Sequence, residues 1–205
     1  MPEPAAWHPL RPADALEVLD AATFPWWVGG GHAIDLYAGI RPRPHDHLEI
    51  EMLRRDWPLA CAALRGWDLR AVRRSRLRPV GLSIPPTPGS SRVWARPEGS
   101  DDWRLELWLA ESEADQWASR RSPGIQRSFR RLGGRTPDGV AYLAPEIVLS
   151  FASNPPTAVD EANLQVALPL METGRRIWLR EALRAVEPRH PWVGRLRTRR
   201  GTDAA

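Results

Sequence analysis

Apolar and polar positions follow two different periods along the chain, and the change of period divides it into two parts. Residues 48–53 (LEIEML) and 103–109 (WRLELWL) alternate at every second position, which predicts strands with one buried face. Residues 26–28 and 93–96 predict two further short strands, and residues 67–80 predict a strand and a basic turn. From Ala144 onward the apolar spacing becomes helical. The first part therefore predicts a sheet and the second part a group of helices.

Helices are also predicted between the strands of the first part. The segments with helical spacing are 12–19, 32–37, 56–64, 145–151, 160–168 and 174–186, and the Pro-, Gly- and Ser-rich segment 81–92 predicts a loop. We therefore expect an α/β (α+β) fold with an α/β core at 1–143. A C-terminal helical portion at 144–194 is expected to pack on the core, and residues 195–205 are expected to be a disordered basic tail.

Composition and charge narrow the classes of protein. The 205 residues are 42% apolar and 26% charged, as in ordinary globular domains, and no apolar run approaches the roughly 20 residues of a membrane helix. With no secretory signal at the N-terminus, we expect a cytoplasmic protein without a membrane partner. The net charge of +4 comes from arginine alone, since lysine is absent. The arginines are dispersed rather than joined in one motif with interleaved aromatic residues, which argues against nucleic acid as a partner.

Candidate chemistry lies between residues 29 and 51. Three glycines, Gly29 to Gly31, allow a ligand to approach the backbone N–H groups, and the following helix directs its positive end toward them. A plain structural turn would explain the glycines equally well. In the next strand His47, Glu49 and Glu51 alternate with apolar residues and therefore lie on one face.

Five motifs in order resemble the nucleotidyltransferase superfamily: GGGHAIDL, RPHDHLEI, WRLELWLAE, YLAPEIVLSF and WLREAL with EPRHPW. The nearest resemblance is to aminoglycoside and lincosamide nucleotidyltransferase-like proteins, over about residues 26–192. It implies a small mixed twisted sheet flanked by helices. It also implies a small polar molecule as partner, with ATP and magnesium as cofactors.

Site residues carry over from the resemblance one by one. Gly30 and Gly31 match the loop that holds the triphosphate, and Arg43 and His45 match the basic segment that follows it. The second and third carboxylates match Glu49 and Glu106, which are therefore the predicted metal ligands. The third carboxylate of the family can also act as general base.

The chain departs from the family pattern at nucleotide handling. His47 stands at the first carboxylate position, and imidazole is a poor ligand for magnesium, which prefers oxygen donors. Asp46 should face the other side of the sheet unless the strand begins later or carries a bulge. Ala152 and Ser153 stand where relatives usually carry lysines, and Asn163 stands near the position of a second aspartate.

Each candidate also has a plainer explanation. His45 is as well suited to positioning a loop as to contacting phosphate. His47 fits a general acid or base tuned by Glu49 and Glu106, and equally a surface histidine. Glu106 could pair with Arg104 or with a neighbouring arginine on the same face.

Three functions follow. The first is transfer of a nucleoside monophosphate from a triphosphate to a hydroxyl of a small polar molecule. The second is a repurposed cleft that performs metal-free acid-base chemistry on a small metabolite, without a cofactor, through His47, Glu49 and Glu106. The third is a non-catalytic binding protein. Both catalytic hypotheses require these three side chains to converge at the glycine turn.

Overall fold

The computed structural model describes residues 6–40, 43–74 and 76–196. Within these residues ten strands form one mixed sheet, with bounds β1 Trp26–Val28, β2 Glu49–Leu53, β3 Trp67–Arg73, β4 Arg76–Pro79, β5 Arg92–Pro97, β6 Leu105–Glu113, β7 Gln116–Ser119, β8 Ser122–Ser128, β9 Gly133–Arg135 and β10 Ala141–Leu143. The order across the sheet is β4-β3-β5-β6-β2-β1-β10-β9, and the β7–β8 hairpin extends from the end of β6. The predicted mixed sheet is confirmed.

Strands β2 and β6 lie side by side and parallel at the centre of the sheet. Their register places Glu49 opposite Glu106 and Glu51 opposite Trp108. Successive side chains of a strand point to opposite faces, so these four polar or amphipathic side chains share one face. The other face carries Ile50 and the alternating apolar residues of β6, which are almost fully buried.

Helices cover both faces of the sheet. Their bounds are α1 Pro12–Val18, α2 Gly30–Ala38, α3 Trp57–Ala63, α4 Pro145–Leu149, α5 Ala158–Ala167, α6 Thr173–Val186 and α7 Trp192–Arg195, with short 3-10 turns at Arg54–Asp56, Phe129–Arg131 and Leu168–Leu170. Helices α1 and α3 pack on the apolar face through Ala15, Trp57 and Ala60. Helices α2 and α4 cover the opposite side, where Ala33 and Ile147 contact the ends of the central strands.

The C-terminal helices have an apolar cluster of their own, built on α2. Ile34 of α2 packs with Leu149, Leu164, Leu179 and Trp192, all almost fully buried. The helical portion therefore rests on the helix that follows the glycine turn. None of the helices in the described ranges is both long and apolar enough to span a membrane.

The segments predicted from periodicity form the predicted elements, with boundaries shifted by a few residues. Strand β4, the β7–β8 hairpin and strands β9 and β10 were not predicted. The predicted start of the basic tail needs correction, because Arg195 ends α7 and donates to Glu161, and Leu196 is only 1% exposed. The fold thus continues to Leu196, and the remainder of the predicted tail, 197–205, lies outside the described residues.

Glu146 joins the helical portion to the hairpin through a buried ion-pair network. Its side chain is completely buried and accepts from Arg127 of β8 and from Arg175 of α6, the latter at 2.8 Å. Such a pair does not itself prove stabilisation, because both charges lose hydration. Removing one partner is nevertheless costly, because the remaining charges stay buried and unpaired.

Replacing Glu146 by alanine should therefore lower the free energy of unfolding by about 3 kcal/mol. Urea denaturation followed by circular dichroism measures this. The matched control is Glu181→Ala on α6, whose half-exposed side chain pairs with Arg180, and whose loss should cost less than about 1 kcal/mol. Equal costs for the two variants would contradict the role given to Glu146.

Candidate active site

The glycine turn between β1 and α2 lets two side chains lie directly against the backbone. Gly30 has φ +56°, and a Cβ there would stand 2.6 Å from a carboxylate oxygen of Glu49. A Cβ on Gly31 would overlap the ring of His45, with Nδ1 at 2.6 Å. The Gly29 N–H donates to the backbone carbonyl of Glu49 at 2.8 Å. The glycines are thus required by close packing inside the protein, whether or not a ligand also binds there.

A cleft of about 390 Å³ opens beside this turn. It is bounded by the glycine turn, the polar face of β2, the tip of the β7–β8 hairpin and helices α4 and α5. Its lining residues are Gly29, Gly30, Gly31, Glu49, Glu51, Trp108, Arg120, Arg121, Leu143, Val148, Phe151, Val159, Asp160 and Asn163. Both parts of the chain therefore contribute to one cleft.

Glu49 and Glu106 are brought together, as the sequence predicted, but in different surroundings. Glu106 is 5% exposed and accepts from the indole N–H groups of Trp94 at 2.8 Å and Trp108 at 3.2 Å. Arg92 lies 3.4 Å from the same carboxylate. In contrast, no side chain in the described ranges donates a hydrogen bond to Glu49. Burial and then the negative charge of Glu106 raise the pKa of Glu49 to about 7.

His47 does not join these carboxylates, so the predicted convergence of three side chains is corrected. Strand β2 begins at Glu49, and His47 precedes it with its ring packed edge-on against Trp7, at 4.3 Å between centroids. Trp7 is held in place by a bridge to Trp103. His47 is absent from the lining of the cleft, and Asp46 is exposed and does not replace it.

Arg43 and His45, predicted as nucleotide contacts, instead bind the buried carboxylate of Asp35 in α2. Arg43 donates to it through its backbone N–H and Nε, each at 2.8 Å, and Nε2 of His45 lies 2.8 Å away. Burial alone would raise the pKa of Asp35, but the hydrogen bonds from His45 and Arg43 outweigh burial and lower it. Neither basic side chain lines the cleft. Arg43 also donates to Asn163, which does line it, at 2.8 Å.

Two cleft residues were missed by the sequence reasoning as site residues. Glu51 is 2% exposed and accepts from Trp117 at 2.9 Å and from Arg120 at 2.8 Å. Its signal was present, since it alternates with Glu49 on one strand face. Arg120 lies at the tip of a hairpin whose short strands gave no clear pattern, so only its position in the fold identifies it.

The carboxylates at this site fit only in part the magnesium ion that the resemblance implies. Each oxygen of Glu106 and Glu51 already accepts an indole or guanidinium N–H group, and Glu106 does not line the cleft. Among the residues the structure describes, no group of three or more His, Cys, Asp or Glu side chains is arranged to hold a metal ion. Magnesium commonly binds through one carboxylate together with substrate phosphates. Glu49 fits that role, whereas the predicted pair with Glu106 does not.

Comparisons with known proteins agree with this fold. A family model described as aminoglycoside-2''-adenylyltransferase matches residues 13–80, which include the glycine turn and Glu49. The solution structure of the antibiotic-resistance factor ANT(2'')-Ia is 16% identical with a TM-score of 0.54, and the match covers 83% of this chain and 87% of that one. No curated protein matches the sequence.

Two further solved structures are similar. The crystal structure of ANT(2'')-Ia in complex with adenylyl-2''-tobramycin is 17% identical with a TM-score of 0.55, covering 83% of this chain and 92% of that one. Lincomycin-bound lincosamide antibiotic adenylyltransferase LnuA is 17% identical with a TM-score of 0.54, covering 77% and 94%. The chain therefore has a nucleotidyltransferase fold, and its resemblance to the nucleotidyltransferase superfamily is confirmed.

Replacing Gly31 by alanine should displace His45 and weaken its contact with Asp35. We expect a loss of about 1–3 kcal/mol in the free energy of unfolding, because the added methyl group has no room. Thermal denaturation measures the loss. Gly174→Ala is the control, since a Cβ at that helical position meets nothing within 4 Å. Equal stabilities of Gly31→Ala and the wild type would show that His45 does not hold its position against the turn.

The raised pKa of Glu49 predicts a pH-dependent cost to stability. The unfolded chain loses this proton near its ordinary pKa of 4.5, whereas the folded protein keeps it until about pH 7. Stability from this group is therefore complete below pH 4.5 and is lost as the pH rises to 7 and above. Glu49→Gln, compared with wild type in EDTA, should gain relative stability between pH 5 and pH 8. A difference that stays constant over this range would contradict the prediction.

Proposed function

We propose that this chain binds a nucleoside triphosphate in the cleft and transfers its nucleoside monophosphate to a hydroxyl group of a small polar molecule. The observation that carries the proposal is the carboxylate of Glu49, to which no described side chain donates, and which lies against the glycine turn at the start of α2 and lines the cleft. Backbone N–H groups at a helix N-terminus favour phosphate, and α2 is nine residues long. A carboxylate and a phosphate-binding turn are thus presented to the same space.

The chemistry is a displacement at the α-phosphorus. The acceptor oxygen forms a bond to phosphorus while the bond to the β-phosphate breaks, and pyrophosphate and a proton are released. Glu49 would hold magnesium together with the triphosphate oxygens, and the ion would neutralise charge that develops on them. Because Glu49 has a raised pKa, it must first lose its proton. Glu106, which does not line the cleft and accepts the indole N–H groups of Trp94 and Trp108, positions these two rings instead.

The second part of the cleft is suited to an acceptor. Helix α5 contributes Asp160 and Asn163, and strand β6 contributes Trp108, so polar and aromatic groups face the same space as Glu49. The related structures contain lincomycin and adenylylated tobramycin. We therefore propose hydroxyl-bearing molecules of this kind, aminoglycosides and lincosamides, as the first acceptors to test.

A second candidate function is metal-free acid-base chemistry on a small metabolite. It is favoured by the hydrogen bonds to Glu106 and Glu51, because Glu49 is then the carboxylate of these three that has no donor within the described ranges. In that case Glu49 exchanges a proton directly with the bound molecule. His47, which lies outside the cleft, has no part in it.

Calorimetric titration with ATP separates the two functions. The wild type should bind ATP in magnesium and bind it at least about tenfold more weakly in EDTA, and Glu49→Gln should lose the magnesium dependence. Glu181→Gln, on the outer helix α6, is the control. A folded wild type that binds no ATP under either condition would refute nucleotidyl transfer and leave the metal-free function.

Activity is tested by pyrophosphate release with ATP and magnesium. Tobramycin, lincomycin and a hydroxyl-free amine of similar size are supplied in turn. Release should require a hydroxyl-bearing acceptor and fall by at least about 100-fold in Glu49→Gln, if Glu49 holds the metal in the transition state. Release that is unaffected by Glu49→Gln would assign the chemistry to another residue.

A further inference from the structure

Arg120 is a cation fixed inside the cleft by three neighbours. Its guanidinium carbon lies 4.1 Å from the ring centre of Trp108 and 3.8 Å from that of Phe151. Its Nη1 donates to Glu51 at 2.8 Å, and Glu51 is itself held by Trp117. The side chain is 17% exposed. An arginine held this firmly at a hairpin tip has lost most of the rotamer freedom that a ligand contact would otherwise cost.

The guanidinium of Arg120 keeps N–H donors for a ligand. The guanidinium carbon lies over the rings of both Trp108 and Phe151, and neither ring accepts a conventional hydrogen bond from its N–H groups. Arginine has five N–H donors in a fixed fork. Within the described part of the chain, Arg120 makes its side-chain hydrogen bond to Glu51 alone. The remaining donors have no acceptor among the described residues, so a planar or tetrahedral anion in the cleft can accept two of them.

Arg120 shares the cleft with the glycine turn. Arg120 and Glu49 line the same cleft, and Arg120 pairs with Glu51, which lies two residues from Glu49 on the same strand face. Glu49 in turn lies against Gly30. In a chain without lysine, charge on a phosphate must be met by arginine, histidine or a metal. His45 and Arg43 are occupied by Asp35, which leaves Arg120 and Arg121 as the cations that line the cleft. Arg121 donates to the backbone carbonyls of Ser150 and Ala152.

We propose that Arg120 binds a phosphate group of the ligand in this cleft. The nucleoside triphosphate as ligand rests on the proposed function, whereas the phosphate contact itself can be tested without a nucleoside. Glu51 is then a positioning residue, because it acts by orienting the guanidinium and does not touch the ligand. A purely structural Arg120 would neutralise Glu51 and make no contact with phosphate.

The experiment is calorimetric titration with three probes: inorganic tripolyphosphate, ATP and adenosine. Arg120→Gln should bind tripolyphosphate and ATP at least about tenfold more weakly than the wild type, with adenosine binding changed less than about twofold. Arg120→Lys should lie between, since it keeps the charge and loses the fork. The matched control is Arg96→Gln, an arginine outside the cleft that also stacks on a tryptophan, Trp103 at 4.3 Å, and pairs with an aspartate, Asp68 at 3.2 Å.

Loss of Arg120 leaves Glu51 buried without its ion pair, so a second variant protects the test from misfolding. The double variant Arg120→Gln with Glu51→Gln removes both charges, and circular dichroism confirms the fold before titration. The inference would be overturned if the double variant bound tripolyphosphate as tightly as the wild type does. It would also be overturned if the affinities for adenosine and tripolyphosphate fell together. A wild type that binds no tripolyphosphate would overturn it as well. If Arg120→Gln binds ATP in magnesium as tightly as the wild type does, the phosphate contact proposed for Arg120 is refuted, and the nucleotidyltransferase proposal stands.

Discussion

The carboxylate of Asp35 is the contact on which the geometry of the site depends. It is 1% exposed, and Arg43 and His45 satisfy both its oxygens from a segment that connects α2 to β2. That contact ties the beginning of β2 to the helix after the glycine turn. It presses the His45 ring onto Gly31 and brings Glu49, four residues later, against Gly30. Because the charge of Asp35 is buried, any ligand that recruited Arg43 or His45 would first have to leave it without compensation. Arg43 and His45 therefore hold the cleft in shape through Asp35 without lining it.

Three glutamates on two adjacent strands differ because of what donates to them. Glu106 accepts two indole N–H groups, and Glu51 accepts an indole and a guanidinium N–H. Glu49 has neither kind of partner among the described side chains, and it lies beside the charge of Glu106. The register of the parallel strands thus places the carboxylates of Glu49 and Glu106 side by side. Tryptophan N–H groups bind Glu106 and Glu51, so that Glu49 is the carboxylate that receives no hydrogen bond from a described side chain. This explains why one carboxylate of the three is available to a ligand or a metal ion.

Periodicity was sufficient to predict the helices, the central strands and the two sides of β2, because each buries one continuous apolar face. Pairing between strands distant in sequence was beyond it. Glu106 could be placed opposite Glu49 only through the family resemblance, and Trp7 on His47 requires contact between segments forty residues apart. The β7–β8 hairpin carries weak alternation, so Arg120 had no local signal. Arg43 and His45 were matched to the nucleotide through the resemblance, whereas the alternative given for His45, the positioning of a loop, agrees with its contact to Asp35 on the preceding helix.

The cleft contains residues from inside and from outside the region that the family model matches. The family model ends at residue 80, before β6 and the hairpin, and the similar structures share about one residue in six with this chain. A fold can be retained while its chemistry changes, so function must be argued from the side chains in the cleft. Here those are Glu49 from the matched region and Arg120 from the unmatched one. Glu49 supplies an oxygen ligand or a proton acceptor, and Arg120 supplies a fixed positive charge beside it. This combination favours a ligand that carries phosphate over one that is only cationic, since a cation would meet Arg120 as well as the carboxylates.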